Sequence, residues 1–173
     1  MFRFSTIRTL AVVALGLSVL APAFGDPVAD AKKEIQARYD KVKAGGDRKN
    51  IKVMMEHYAP DFTLTGQGRN YTLGHMRVQF GYLTRTMTTI KIVTTIQKVD
   101  LKGAVATVSA KEHCELGYVN QGIKKVEPMT VDNTLQDVWV KQPAGWLLKS
   151  TKVLTAKRVL NGKPAPALIG APK

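Results

Sequence analysis

A carboxylate stands out where the pattern calls for an apolar residue. Along Ala104, Ala106, Val108, Ala110, Glu112, Cys114, Leu116 and Tyr118 every second residue is apolar except Glu112, while the intervening positions read Val105, Thr107, Ser109, Lys111, His113 and Glu115. Period-two alternation of this kind marks a strand with one buried face, and it puts Glu112 in line with that face. A carboxyl group held there must be hydrogen-bonded, paired or raised in pKa, which is how a general acid or base is made. The plainer alternative is a strand that emerges at the rim by Glu112 and leaves the group solvated.

Other chemistries find less support. His57, His75 and His113 make no i, i+4 pair, and Cys114 is the only cysteine, so metal-ligand spacing is missing and no metal is expected. His113 and Cys114 are adjacent on one strand and point to opposite faces. No Gly-x-Ser-x-Gly elbow is present, and the glycines at 66 and 68 lack the lysine of a phosphate loop and read as a turn. No cofactor is called for. Cys114 excludes an intrachain disulfide and is either a small buried hydrophobe or a thiol that pairs between chains.

The elements that must position these groups change character halfway along the chain. Asp26-Pro27 starts a helix whose apolar residues Ile35, Tyr39 and Val42 share a face, and Gly45-Gly46 is expected to end it at Ala44. A short second helix carries Ile51, Met54, Met55 and Tyr58 and stops at Ala59-Pro60. A short strand spans 61 to 65, and after the turn at 66 to 68 Thr72 caps a third helix with Leu73, Met76, Phe80 and Leu83 on one side. Beyond Thr86 the period becomes two, and long strands are expected near 88 to 100, 103 to 118, 127 to 141 and 145 to 158. The fold class is therefore α+β: three N-terminal helices packed on a mainly antiparallel sheet. Residues 161 to 173 are rich in Pro, Gly and Ala and read as a flexible tail.

The N-terminus reads as an export signal. Arg3 and Arg8 precede the apolar run Leu10 to Leu20, and Ala23 and Gly25 supply the small residues of a cleavage site, with the cut placed after Gly25. A run of about 11 apolar residues is shorter than the about 20 that span a bilayer. The domain then covers residues 26 to 160, and the protein is expected to be periplasmic or secreted. Loss of Arg3 and Arg8 takes the net charge from +13 to +11. In that compartment a basic protein points to anionic lipid, cell-wall polymer or another acidic envelope component, and not to nucleic acid. Lys149, Lys152, Lys157, Arg158 and Lys163 form the basic stretch that would make such a contact.

Three short stretches carry a family resemblance. Tyr39-x-x-Val42-x-x-Gly45-Gly46-Asp47, then His57-Tyr58-Ala59-Pro60-Asp61-Phe62-Thr63, then Asp137-Val138-Trp139-Val140-Lys141 with Gly145-Trp146 resemble, in order and spacing, landmarks of the nuclear transport factor two-like superfamily. That superfamily includes the SnoaL-like and ketosteroid isomerase families, and the last stretch resembles its exported members. The resemblance implies a cone of helices and strongly curved sheet, commonly with a ligand pocket at its open end and often a homodimer.

It also implies candidate site residues. In the isomerases a tyrosine and a protonated aspartic acid stabilise a developing oxyanion while a separate carboxylate moves the proton. Tyr39 falls on the tyrosine and Asp137 on the oxyanion acid, whereas the base position is Gly66. Asp137 is alternatively a hairpin acid paired with a lysine, and Tyr39 an amphipathic core residue. From residue type alone, Tyr58, Phe62, Phe80, Cys114 and Trp139 are the expected ligand-binding residues, with Trp146 and Tyr82 as further aromatics, although such residues more often serve simply as core. The expected function is binding of a small apolar or carbonyl-bearing molecule. A cofactor-independent lyase or isomerase using Glu112 or Asp137, and an envelope interaction protein with a basic surface, are the alternatives.

Overall fold

In this computed structural model the described residues are 25–66, 68–120, 122 and 125–165. The expected signal segment, apart from Gly25, and the last eight residues of the expected tail lie outside them.

Helix α1 runs over Pro27–Asp47, with Asp26 Oδ1 accepting from the Val28 N–H at 2.9 Å and Pro27 in the first turn. Ala31, Ile35, Tyr39 and Val42 form its buried face. The helix does not end at Ala44. Gly45 and Gly46 continue it because the chain comes too close there for a side chain. A Cβ on Gly45 would lie 2.7 Å from Met54 Cγ, and one on Gly46 3.3 Å from Ile90 Cγ2. The pair therefore acts as a contact surface and not as a stop.

Helix α2, Ile51–Met55, is capped by Asn50 Oδ1 on the Val53 N–H. It ends before Ala59-Pro60, because Tyr58 already opens strand β1, Tyr58–Gly66, which pairs in parallel with a later strand at Leu148. Strand β2, Arg69–Thr72, returns antiparallel on β1 and was not expected from sequence. Helix α3, Leu73–Thr86, starts where Thr72 and His75 bond reciprocally, and it buries Met76, Phe80 and Leu83.

The long strands follow: β3 Met87–Lys102, β4 Val105–Asn120, β5 Lys125–Gln142 and β6 Gly145–Leu160. A two-residue β7, Lys163–Pro164, pairs with the end of β6, so this part of the expected tail is tied to the sheet. The sheet order is β2-β1-β6-β5-β4-β3, antiparallel except where β1 meets β6. Irregular register within β3–β4 and at two places in β5–β6 bends the long strands, since an extra residue on one strand tilts the ladder. The result is a curved sheet with helices on its concave side. On that face the small Ala106, opposite Trp139, leaves room for the indole, and Tyr39 of α1 meets the same indole edge-on at 5.2 Å.

Candidate functional site

Asp137 belongs to the inward set Leu135, Asp137, Trp139 of β5 and lies between Val108 on β4 and Thr151 on β6. Its exposure is 1%, so it is not a hairpin acid paired with a lysine at the surface. Tyr39, 6% exposed, donates its phenolic hydrogen to Asp137 Oδ2 at 2.5 Å and accepts from Trp139 Nε1 at 3.2 Å. Asp137 Oδ1 has no hydrogen-bond partner among the described residues. Burial pushes the Asp137 carboxyl up to about 6, Thr151 and Tyr39 oppose that by favouring the ionised form, and the Glu112 charge reinforces it. Burial first, and then Asp137, hold the Tyr39 phenol protonated.

Glu112 sits on the same concave face, half-buried, four residues along β4 from the Val108 that pairs with Asp137. At about 3.3 Å per residue that is about 13 Å of strand. Its Oε1 accepts from Asn133 Nδ2 at 2.8 Å. Burial raises its pKa, while Asn133 and Cys114 hold it down. It shares the inward set of β4 with the buried Ala106, Val108 and Ala110. The alternation of β4 thus gives the right face, and the two carboxyls are separated along that face and do not touch.

The aromatic residues divide. Tyr58 packs edge-on against Phe62 at 4.6 Å and faces Phe80 at 6.5 Å. Phe62, Phe80 and Trp139 are buried core, whereas Tyr58 and Cys114 are half-buried. Burial pushes the Cys114 thiol well up, and Glu112 adds to the effect. Tyr82 is 50% exposed and faces away from the core. Trp146 is buried with its Nε1 unpartnered among the described residues.

His57, which the sequence places only at a helix end, is part of the buried cluster. It is 1% exposed, stacks on Trp139 at 5.6 Å with the rings 20° apart, and touches Tyr58 at 4.6 Å. Its Nδ1 has no partner among the described residues. Burial, then the nearby Arg38, lowers its pKa to about 4, so it is neutral near pH 7. A lone histidine at a helix end carries no spacing signal that distinguishes this position from a solvated one. Thr151 was missed, since only the β5–β6 register places it opposite Asp137.

A Cβ on Gly66 would lie 3.0 Å from Val153 Cβ, so a carboxylate side chain there would require the two strands to part. His113 points to the opposite face, where its Nδ1 lies 2.6 Å from Asp132 Oδ1. Among the described residues no group of three or more His, Cys, Asp or Glu could hold a metal. Two depressions, of about 240 and 440 Å³, lie on the flank of α1 beside Trp146 and on the outer face around His113 and Lys157. The basic stretch of β6 does not form one patch. Lys149 pairs with Asp61, Lys152 and Lys157 are exposed, and Arg158 turns inward opposite Val131. No described helix is long and apolar enough to cross a membrane.

Three helices closing the concave side of a bent, mainly antiparallel sheet, with the Tyr39–Asp137 pair between them, define an α+β domain of the nuclear transport factor two-like fold. Solved structures with this fold agree. A protein named for scytalone dehydratase from Novosphingobium aromaticivorans matches with TM-score 0.65 and 12% identity, over 76% of this chain and 90% of that one. A protein named as a dehydratase of the nuclear transport factor two-like family, from Streptomyces avermitilis, matches with TM-score 0.57 and 13% identity, over 81% and 99%. A type 2 hexachlorocyclohexane dehydrochlorinase matches with TM-score 0.61 and 11% identity, over 82% and 97%. No family model matches the chain, and no curated protein matches it. At these identities the likeness establishes the fold, and function must be argued from the residues.

Proposed function

We propose that the chain is an exported protein that binds a small apolar or carbonyl-bearing molecule against the concave face of its sheet. The observation that carries this reading is Asp137 Oδ1, a buried oxygen without a partner, beside a Tyr39 phenol already committed to Oδ2. Buried polar atoms are nearly always hydrogen-bonded, and those left over mark places where a partner is missing. With its carboxyl pushed up to about 6, Asp137 donates to a carbonyl when protonated and accepts from a hydroxyl when ionised. Thermal-shift and native mass-spectrometry surveys with lipid, steroid and aromatic panels test the reading. Binding that weakens in Asp137→Leu supports it, and protein that carries no ligand and is unmoved by every panel overturns it. Export is tested by N-terminal sequencing of the protein from the periplasm or medium, which should begin at Asp26.

A second reading, a cofactor-independent lyase or isomerase, is favoured by Glu112. This is an inward carboxyl with raised pKa on the face that carries Tyr39 and Asp137. Raising the pKa moves such a group toward the proton affinity that acid–base catalysis near neutral pH uses. Turnover of a substrate should then fall by about a hundredfold or more in Glu112→Gln. Unchanged turnover in that variant removes Glu112 from the chemistry.

A further inference from the structure

The concave face holds a cation that the Tyr39–Asp137 pair does not use. Arg158 lies near the end of β6, opposite the buried Val131, and so points to the inner side of the sheet. Its Nε and Nη1 are shielded from solvent and have no hydrogen-bond partner among the described residues. The lysines of the same strand differ. Lys149 pairs with Asp61, and Lys152 and Lys157 are exposed to water. Burial lowers the pKa of Arg158 and only Tyr71 opposes that, yet a guanidinium stays protonated across the physiological range. A cation with two dry, unused N–H donors is unfavourable in the empty protein, and an anion that brings its own acceptors relieves both deficits.

The surroundings narrow the anion. Around Arg158 on the concave face Leu160, Cys114 and Asn133 are half-buried and Ala156, two residues back along β6, is exposed, so this part of the face is open enough to be reached and mostly apolar. A phosphate dianion would face a single guanidinium with Glu112 on the same face, whereas a monoanion matches the one positive charge. We propose that Arg158 is a carboxylate-binding residue and that the molecule taken by the concave face is an apolar monocarboxylic acid, its carboxylate on Arg158 and its apolar body laid along the face past Ala156 toward Val153. This rests on the small-molecule reading above and names the class of molecule.

The test uses two acids, 2-naphthoate and decanoate, and their primary amides, with binding followed by calorimetry and by quenching of Trp139 and Trp146 near pH 7.5. The expected result is that at least one acid binds tighter than its amide by about tenfold or more, a preference that Arg158→Met abolishes while leaving amide binding in place. Arg158→Lys should keep part of the preference, because it keeps the charge and loses the fork. Without ligand, Arg158→Met should melt no lower than wild type, since it removes an uncompensated cation. Acid and amide bound equally tightly by wild type would overturn the role of Arg158 and leave the small-molecule reading intact. Failure of all four compounds to bind would overturn the monocarboxylate assignment and leave the small-molecule reading to the wider lipid, steroid and aromatic panels. A preference that survives in Arg158→Met would place the carboxylate elsewhere and also overturn the role of Arg158.

Discussion

Tyr39 and Asp137 stand 98 positions apart in the chain and share a buried hydrogen bond of 2.5 Å. The bond ties the inward face of α1 to the centre of β5, and Trp139 adds a third member by donating to the same phenolic oxygen. Tyr39→Phe keeps the ring and removes the hydroxyl, which strands both Asp137 Oδ2 and Trp139 Nε1. At about 1–3 kcal/mol for each buried group left without a partner, the variant should lose about 2–6 kcal/mol. Urea denaturation should show a lower midpoint at unchanged slope. The loss should be larger at about pH 8 than at about pH 5, because the ionised Asp137 depends on the phenol more than the protonated one does.

Asp137 and His57 respond to acid with opposite signs. The folded pKa of Asp137 is raised from 3.8 to about 6, so the native state holds the proton more tightly than the unfolded chain, and stability is gained as pH falls through that window. The folded pKa of His57 is lowered from 6.5 to about 4, so the unfolded chain takes up a proton that the native state refuses, and stability is lost as pH falls from 6.5 to about 4. Each shift is worth about 3 kcal/mol, and the two largely cancel in the wild type. Relative to wild type, His57→Phe should gain about 3 kcal/mol between about pH 6.5 and 4, and Asp137→Asn should lose a similar amount. Denaturant titrations across that range read both slopes, and parallel pH profiles for the variants and wild type would refute the assignment.

The strands and the caps were legible because their signals are local. Alternation from Met87 onward fixes four strands to within a few residues, and Asp26 and Thr72 each sit one residue before a helix, whereas the sequence leaves the start of α2 open between Asp47 and Asn50. What escaped depends on distant partners. Gly45-Gly46 reads as a stop until Met54 and Ile90 are seen pressing on it. Tyr58 fits a helical period but joins β1 because Leu148 is there to pair with. The Tyr39–Asp137 pair came from resemblance, and Glu112 from alternation. His57, Thr151 and the inward turn of Arg158 follow only from the register of β5 on β6 and the packing around Trp139.

Gly45 gives a clean check on that packing. In an exposed helix Gly→Ala stabilises by about 1 kcal/mol through propensity. At Gly45 the added methyl would stand 2.7 Å from Met54 Cγ and 3.0 Å from the Met54 backbone nitrogen, and backbone cannot step aside as a side-chain tip can. Gly45→Ala should therefore destabilise, by about 1–3 kcal/mol, reversing the usual sign. A rise in melting temperature would mean that α2 is free to move.

Cys114 can report on the charge of Glu112, its neighbour along the concave face of β4. Only the thiolate reacts with a disulfide reagent, and burial together with Glu112 keeps this thiol protonated. Labelling of the folded protein at about pH 8 should be at least tenfold slower than in denaturant. If Glu112 is ionised at that pH, Glu112→Gln removes a negative charge from beside the sulfur, lowers the thiol pKa and speeds labelling several-fold. If Glu112 is neutral, the substitution changes little. Repeating the comparison at lower pH then locates the titration of Glu112 in the folded protein, since the rate advantage of Glu112→Gln must vanish where the carboxyl takes up its proton. A midpoint at or below the ordinary carboxylate range would contradict the burial that raises it, and would remove the acid–base argument for this residue.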